Sequence, residues 1–260
     1  MSDDLPTAII PATPSLEYLR RFTAARVALG RAGAGLPTKA HLQFTLDHAR
    51  ARDAVWSAVD MAALEAAVRD RGLAAARVRS RAGDRATYVR RPDLGRELAP
   101  DDLAGLRALG TAKIAVIIAD GLSAAAVEAN ALAVIDALRS SLAIDAVVLA
   151  EQGRVAIGDP IGSALGADLV IVLIGERPGL SAADSLGCYI TYKPRPGTPD
   201  SRRNCVSNIR RGGLEIADAA YKIAWLAREA LQRELTGIEL KEESGAALEA
   251  ETRALLIDEP

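Results

Sequence analysis

The sequence contains few aromatic residues and only two cysteines. Aromatic side chains make up 3% of the 260 residues, and Cys188 and Cys205 are the only thiols. The core is therefore expected to be aliphatic, with helices packed closely through small side chains. There is no CxxC motif and no Cys/His cluster, so the sequence supports neither a structural zinc site nor a disulfide framework. Two reduced thiols are typical of a cytosolic protein.

Long apolar runs and an excess of one charge are also absent. The longest apolar runs, Ile114–Ala119 and Leu169–Ile174, are far shorter than the roughly 20 residues of a membrane-spanning helix. The 32 basic and 34 acidic residues give a net charge of -2, without the basic excess of a nucleic-acid-binding protein. The segment MSDDLPTAII lacks the basic and apolar parts of a secretory signal. We therefore expect a cytoplasmic protein that binds neither membrane nor nucleic acid.

The middle of the chain has the pattern of a Rossmann-like fold. Three continuous apolar runs, KIAVIIADG, AVVLAEQG and DLVIVLIGERPG, are typical of buried strands. Between them we predict a helix capped by Ser123 and a short helix with Asp159 as its cap. Alternating strands and helices predict right-handed crossovers and a parallel sheet covered on both faces. The predicted fold class is therefore α/β, with a Rossmann-like parallel sheet core flanked by helices and preceded by an N-terminal helical region.

The flanking regions are predicted to be mainly helical. We expect a short helix from residue 15 and one long helix over 38–71, with Thr38 as N-cap and Gly72 as its stop. CYITY is expected to add a strand, and a final helix is predicted over 214–235. The predicted regions are an N-terminal segment with a short helix (1–37), a helical region with the long helix (38–110), the Rossmann-like core (111–240) and an acidic C-terminal tail (241–260).

Three loops at the carboxyl ends of the predicted strands are the expected ligand site, because open parallel sheets bind ligands there. These loops span 119–123, 151–159 and 175–185. They carry charged side chains that need a partner or a ligand where they are buried, namely Asp120, Arg154, Glu176, Arg177 and Asp184. In the alternative interpretation, the two arginines simply pair with these acidic residues as a structural polar network.

No nucleotide or metal motif identifies the ligand. The first strand–helix turn reads ADGLSAAA, which lacks GxGxxG, and there is no Walker A motif. His41 and His48 lie seven residues apart rather than the four that metal-binding pairs on a helix favour, so we predict no metal ligand. The segment NCVSNIRRGGL offers neutral hydrogen-bonding groups that suit a ligand. It is equally well interpreted as an ordinary loop held by Asx turns.

Five longer stretches occur together in a recognisable order and spacing. They are LPTKAHLQFTLDHARARDAV, IADGLSAAAV, QGRVAIGD, LIGERPGLSAADSLGCYITYKPRPG and RNCVSNIRRGGL. Across about residues 30–240, the chain resembles the small subunit of ethanolamine ammonia-lyase. GERPGLSAADSLG followed by RNCVSNIR is long enough to make chance a poor explanation of the match.

The resemblance implies a subunit of an adenosylcobalamin-dependent radical enzyme that converts ethanolamine to acetaldehyde and ammonia. It also implies a large TIM-barrel subunit that binds the substrate, in a hetero-oligomer with cobalamin at the subunit interface. Carried over by motif, the cobalamin contacts of this chain are Val155, Glu176 and Cys205, within the core 111–240. Val155 and Glu176 also lie in loops selected by the strand-end rule. The resemblance assigns no catalytic residue to this chain, and the sequence offers no paired acid and base.

The cofactor's own base is expected to stay on cobalt. Cobalamin proteins that replace this base with a histidine carry D-x-H-x-x-G, whereas Asp47 and His48 are adjacent here and lack the following glycine. Members of the family can also be packaged in a bacterial microcompartment, so the resemblance extends the expected location to such a compartment.

Two other functions remain open at this point. One is a non-catalytic Rossmann-like module that binds a small molecule or a corrinoid by itself. The other is a structural protein whose helix over 38–71 serves assembly. Co-purification separates the three hypotheses, because only the enzyme subunit needs a larger partner for activity.

Overall fold

The computed structural model describes residues 9–10 and 14–245. The strands in chain order are β1 (Ile9–Ile10), β2 (Arg31–Ala32), β3 (Ala74–Arg79), β4 (Ile114–Ala119), β5 (Ala146–Glu151), β6 (Leu169–Gly175), β7 (Leu186–Tyr192) and β8 (Asn204–Ile209). The α-helices are α1 (Pro14–Glu17), α2 (Thr38–Trp56), α3 (Met61–Asp70), α4 (Arg85–Arg90), α5 (Leu103–Ala108), α6 (Ala124–Leu138), α7 (Gly158–Leu165) and α8 (Ile216–Arg233).

Strands β3 to β8 form one mixed sheet in the order β3-β5-β4-β6-β7-β8. The first four strands of this order are parallel, and β7 and β8 are antiparallel to their neighbours. The predicted α/β class is therefore confirmed, but the Rossmann-like parallel sheet is only partly matched. The loop over 176–185 contains no crossover helix, so the chain turns back and β7 runs antiparallel to β6.

The central strands are buried because helices cover both faces of the sheet. Every residue of β4 and β6 is buried. Alternate β4 side chains face opposite layers, with Val116 and Ile118 packing in the cluster that contains α3, α6 and α8. Ala115 and Ile117 belong to the cluster that contains α5 and α7. This two-sided burial explains why the strands are continuous apolar runs in the sequence.

One of the predicted helix caps is confirmed and two are wrong. The Oγ of Ser123 accepts a hydrogen bond from the backbone N of Ala126 at 3.1 Å and caps α6 as expected. Thr38 is the first residue of α2 rather than its cap, and Pro37 before it makes no side-chain bond. Asp159 lies within the first turn of α7, where its carboxylate binds Arg203 instead of capping the helix.

The single long helix predicted over 38–71 is also wrong, because residues 57–60 separate α2 from α3. The carboxylate of Asp60 accepts hydrogen bonds from the backbone N of Ala62 and Ala63, at 3.1 and 2.9 Å, and so starts a new helix. Gly72, with φ +74°, follows the end of α3 as expected. Helix α2 has only one buried residue, Ala54, and exposes large apolar side chains that include Leu42, Leu46 and Trp56.

Other elements differ in detail from their predictions. Strand β3 lies in a stretch for which no strand was predicted, and it pairs with β5 at one edge of the sheet. The short N-terminal helix ends at Glu17 and continues only as a 3-10 turn over Tyr18–Arg21. Strand β7 and helix α8 are confirmed. The interpretation of the segment 204–214 as an ordinary loop is wrong for its first part, which forms strand β8.

Two predictions lie wholly or partly outside this structural description. Most of the acidic tail predicted over 241–260 falls beyond residue 245, outside the described residues. The four predicted regions stay a prediction, although β3, from the region 38–110, contributes to the sheet of the core. Within the described ranges, no helix is both long enough and apolar enough to cross a membrane.

Candidate functional site

Val155 and Glu176 line one cavity at the carboxyl edge of the sheet. Val155 begins a 3-10 turn shortly after β5, and Glu176 directly follows β6. The cavity has a volume of about 390 Å³, and Gly121 and Leu122 from the turn after β4 complete its lining on that side. All three loops selected by the strand-end rule therefore meet at one opening.

Cys205 lines a second cavity that adjoins the first. This cavity has a volume of about 450 Å³ and also contains Val155 in its wall. The side chains common to both cavities are Arg154, Val155, Arg177 and Tyr189. The structure thus places the three predicted cobalamin contacts around a continuous pair of cavities, while their role toward the cofactor stays a prediction.

The carboxylate of Glu176 is fixed by contacts with β7 and β8. Its Oε2 accepts a hydrogen bond from the Oγ of Ser185 at 2.5 Å and one from the backbone N of Asn208 at 3.3 Å. A Cβ at Gly187 would lie 2.9 Å from the other carboxylate oxygen, Oε1. Glycine at this position therefore leaves the space that the Glu176 side chain occupies.

Cys205 lies opposite Tyr189 in the β7–β8 pair. Desolvation raises the pKa of the Cys205 thiol, the hydrogen bond from Tyr189 opposes this, and the nearby charge of Glu176 raises the pKa further. A thiol with a raised pKa is protonated at neutral pH and is a poor nucleophile. The side chain is therefore suited to contact a ligand rather than to attack one. Because β8 is an antiparallel edge strand, the strand-end rule did not select Cys205.

A buried carboxylate, Asp120, directly precedes Gly121 and Leu122, which line the first cavity. Its Oδ1 accepts a hydrogen bond from the backbone N of Gly153 at 3.1 Å, and its Oδ2 is 3.5 Å from the Nη1 of Arg85. Burial raises the pKa of Asp120 to about 6, although these contacts act in the opposite direction. Arg85 also donates to the backbone O of Gly121 at 2.8 Å and of Val55 at 2.6 Å. Asp120 and Arg85 together therefore connect α4 to the end of α2 and to the turn after β4.

Tyr88 of α4 lies between two arginine side chains. The guanidinium carbons of Arg85 and Arg154 are 4.8 and 4.1 Å from the centre of its ring. The buried Tyr88 hydroxyl donates a hydrogen bond to the backbone O of Gly153 at 3.1 Å. Sequence reasoning missed both Arg85 and Tyr88. The sequence did contain a signal for the start of α4, because Asp84 caps this helix by accepting a hydrogen bond from the backbone N of Thr87. No local pattern indicated that α4 lies beside the cavity.

The alternative in which the loop arginines pair with nearby acids is not what the structure shows. Asp184 binds Arg210 at 3.0 Å, and Asp120 faces Arg85. Within residues 9–10 and 14–245, no carboxylate oxygen lies within 4.0 Å of a guanidinium nitrogen of Arg154 or Arg177. These two arginines therefore keep their charge available at the cavities.

A closed ion pair borders the second cavity. The Nη1 and Nη2 of Arg203 donate to the two carboxylate oxygens of Asp159, both at 2.7 Å. Its other donors bind Thr191, Thr198 and Asp200, so all five N–H groups of the guanidinium are used. Both members of the pair are buried. The pair joins α7 to the start of β8 and thereby positions Cys205 two residues further along.

The amide of Asn204 serves the fold rather than a ligand. Its Nδ2 donates to the backbone O of Leu240 at 2.7 Å, and its Oδ1 accepts from the backbone N of Gly237 at 2.8 Å. The interpretation of the segment 204–214 as a ring of ligand-binding amides is therefore wrong at this residue. The residue of this segment that lines the second cavity is Cys205.

Known proteins of one family match nearly the whole chain. The family model described as ethanolamine ammonia-lyase light chain matches residues 14–241. The ethanolamine ammonia-lyase small subunit of Bradyrhizobium diazoefficiens is 54% identical, with 90% of this chain and 93% of the relative covered. The corresponding subunit of Rhodopseudomonas palustris is 53% identical over 96% and 98% of the two chains. That of Azotobacter vinelandii is 49% identical over 95% and 94%.

Proposed function

This chain belongs to the family of ethanolamine ammonia-lyase light chains, and from that premise we propose that it holds adenosylcobalamin against a large subunit. The chain is a subunit of a carbon–nitrogen lyase that converts ethanolamine to acetaldehyde and ammonia. When bound, adenosylcobalamin supplies the homolytic radical chemistry that this reaction requires. One observation carries the proposal, namely that Val155, Glu176 and Cys205 line two adjoining cavities at one edge of the sheet.

The residues around the cavities fit one side of a corrinoid. Val155, Leu122 and Ile174 offer apolar surface, and the neutral thiol of Cys205 is a small polarizable contact. Glu176 provides a carboxylate held in one orientation. Each cavity is smaller than 500 Å³, within the range of about 300–1,000 Å³ that suits drug-sized ligands. Adenosylcobalamin is larger than such a ligand, so a second wall from the large subunit is needed to enclose it.

The role of this chain is to bind and to shield rather than to transfer protons to or from the substrate. Among the residues that line the two cavities, Glu176 is already held by Ser185 and Asn208, and Cys205 is protonated at neutral pH. We propose that the large subunit is a TIM barrel that binds ethanolamine. This chain covers the cofactor and excludes water, which protects reactive intermediates from side reactions.

The cofactor is proposed to keep its own base on cobalt. His41 and His48 lie on α2, and neither of them lines either cavity. The holoenzyme prepared with nitrogen-15-labelled histidine should show no coupling between a protein nitrogen and cobalt in its paramagnetic spectrum. Observation of such a coupling would contradict this assignment.

Co-expression with the large subunit tests the proposed function. The purified complex should release acetaldehyde from ethanolamine when adenosylcobalamin is added, and this chain alone should release none. Tight corrinoid binding by this chain alone, with no activity in the complex, would instead favour a stand-alone corrinoid-binding module. Co-sedimentation with protein shells tests the proposal that the cytoplasmic enzyme is packaged in a microcompartment.

A further inference from the structure

Three arginines from separate segments converge on the second cavity. Arg96 comes from the 3-10 turn Leu94–Arg96, Arg154 from the loop after β5, and Arg177 from the loop after β6. No salt bridge to any of the three is present in the part of the chain that the structure describes. Three like charges around one opening repel one another, so the arrangement favours an anion between them.

Arg154 is the most firmly positioned of the three. Its guanidinium stacks on the ring of Tyr88, and its Nη2 donates to the backbone O of Tyr88 at 3.0 Å. A Cβ at Gly95 would lie 2.8 Å from the Cγ of Arg154, so the glycine makes room for the arginine side chain. The Nε of Arg154 is buried and has no hydrogen-bond partner within the described structure. An unused, buried donor on a fixed cation is costly without a ligand.

The electrostatic surroundings of Arg154 agree with this geometry. Burial lowers the pKa of its guanidinium, Tyr88 acts in the opposite direction, and the positive charges of Arg85, Arg177 and Arg96 lower it further. Arginine nevertheless stays protonated in proteins. Its charge at this site is therefore destabilised by the folded chain, and an anion would relieve that destabilisation.

The acidic residues near the cavities do not fill this role. Asp200 lines the second cavity, but its carboxylate accepts a hydrogen bond from the Nε of Arg203 at 3.2 Å. Glu176 lines the first cavity and is held by Ser185 and Asn208. The anion that the arginines favour must therefore come from outside the described chain.

We propose that Arg154, Arg177 and Arg96 bind the phosphodiester of the nucleotide tail of adenosylcobalamin. This inference rests on the proposed function and extends it to a part of the cofactor beyond the contacts at Val155, Glu176 and Cys205. The three arginines line the same cavity as Val155 and Cys205, so a cofactor that touches both residues comes within reach of them. The phosphodiester is the anionic group of the tail, whereas the side-chain amides of the corrin are neutral. Guanidinium groups bind phosphate oxygens through paired hydrogen bonds.

The test compares a ligand that has the tail with one that lacks it. The complex with the large subunit is titrated with cyanocobalamin and with dicyanocobinamide, which has neither phosphate nor nucleotide base. Arg154→Gln should weaken cyanocobalamin binding about tenfold to a hundredfold, because a charge-assisted contact is lost. The same variant should change the affinity for dicyanocobinamide less than about twofold. Arg228→Gln, on an exposed residue of α8 that lines neither cavity, is the matched control and should change neither affinity.

A second variant covers the case in which Arg154→Gln fails to fold. Arg177 is exposed, so Arg177→Gln should leave the fold intact and still weaken cyanocobalamin binding selectively by several-fold. Equal losses for both ligands, or no loss for either, would overturn the phosphate subsite and leave the proposed function standing. Release of the large subunit by Arg154→Gln in size-exclusion chromatography would indicate that Arg154 binds the partner rather than the cofactor and would also overturn the subsite. A wild-type complex that binds neither corrinoid would overturn the proposed function itself.

Discussion

Arg203 and Arg154 both line the second cavity, but they differ in burial, in hydrogen bonding and in the charges around them. Arg203 is buried, uses all five of its donors and faces a carboxylate at 2.7 Å. Arg154 is half-buried, its Nε has no hydrogen-bond partner among residues 9–10 and 14–245, and the charged residues that lower its pKa are other arginines. The described chain itself supplies the counter-charge and hydrogen-bond acceptors of Arg203. We infer that a ligand supplies the counter-charge of Arg154.

This contrast shows how a charged residue near a cavity can be interpreted. A buried ion pair with saturated hydrogen bonds holds elements in register, as the Arg203 pair with Asp159 does for α7 and β8. A fixed cation that lacks a counter-charge within the chain indicates a ligand instead. Both environments lie within a few residues of a predicted cobalamin contact, so proximity in the sequence does not separate them.

The largest expected effect is the loss of stability when the buried ion pair between Arg203 and Asp159 is broken. Arg203→Ala should lower the free energy of unfolding by about 3–5 kcal/mol, because it leaves the Asp159 carboxylate buried without its cation. Denaturant titration of the purified chain measures this loss. The exposed control Arg228→Ala should stay within about 0.5 kcal/mol of the wild type. A loss below about 1 kcal/mol for Arg203→Ala would show that the pair is not structural and would remove the contrast with Arg154.

A smaller effect is expected from the second buried carboxylate, Asp120, which has a weaker cationic partner at 3.5 Å. Its pKa is raised from 3.8 to about 6 by burial, so the folded chain keeps the proton longer than the unfolded chain as the pH rises. Stability is therefore highest below pH 4 with respect to this group. It falls by about 2–3 kcal/mol as the pH rises through 6.

Asp120→Asn provides the matched comparison, because the side chain keeps its shape but cannot ionise. Unfolding of the wild type and the variant is measured across the range from pH 4 to 7. The difference between their unfolding free energies should shift in favour of the variant as the pH rises. A difference that is constant over this range would mean that Asp120 titrates normally.

The smallest expected effect is on cobalamin affinity, and it compares Glu176 at the first cavity with Glu65, which lines neither cavity. Glu176→Ala should weaken cobalamin binding by the complex about tenfold, the value of one good hydrogen bond to a charged group. Glu65→Ala on α3, where the carboxylate binds Arg69 and Arg77, should change the affinity less than about twofold. Equal losses of cofactor affinity for the two variants would argue against the site at Glu176.

The parts of the fold that the sequence predicted are those with two-sided burial. β4, β5 and β6 are continuous apolar runs because helices cover both faces, and such runs are visible without a structure. β3 was missed because its residues, AAARVR, favour a helix locally and become a strand only by pairing with β5. The break before α3 had a local signal in Asp60, which was outweighed by the alanine-rich sequence on both sides of it.

The candidate site, like the fold, could be predicted only in part from the sequence. The strand-end rule selects the loops that carry Val155 and Glu176, because that rule depends only on the order of strands and helices. Cys205 follows only from the family resemblance, since it lies on an antiparallel edge strand. Arg85 and Tyr88 reach the site through contacts more than 30 residues away in the chain, with Asp120 and Gly153, and no local pattern reports such contacts.

The edge position of β8 has a consequence for synthesis of the chain on the ribosome. Among the described strands, β8 pairs with β7 alone, so until residues 204–209 have emerged, β7 presents an open backbone edge to other nascent chains. The wall of the second cavity extends from Pro92 to Cys205, so this cavity cannot be complete before Cys205 has emerged. A chain truncated before residue 204 therefore has an unpaired edge at β7 and lacks one wall of the second cavity, and an exposed edge of this kind favours aggregation.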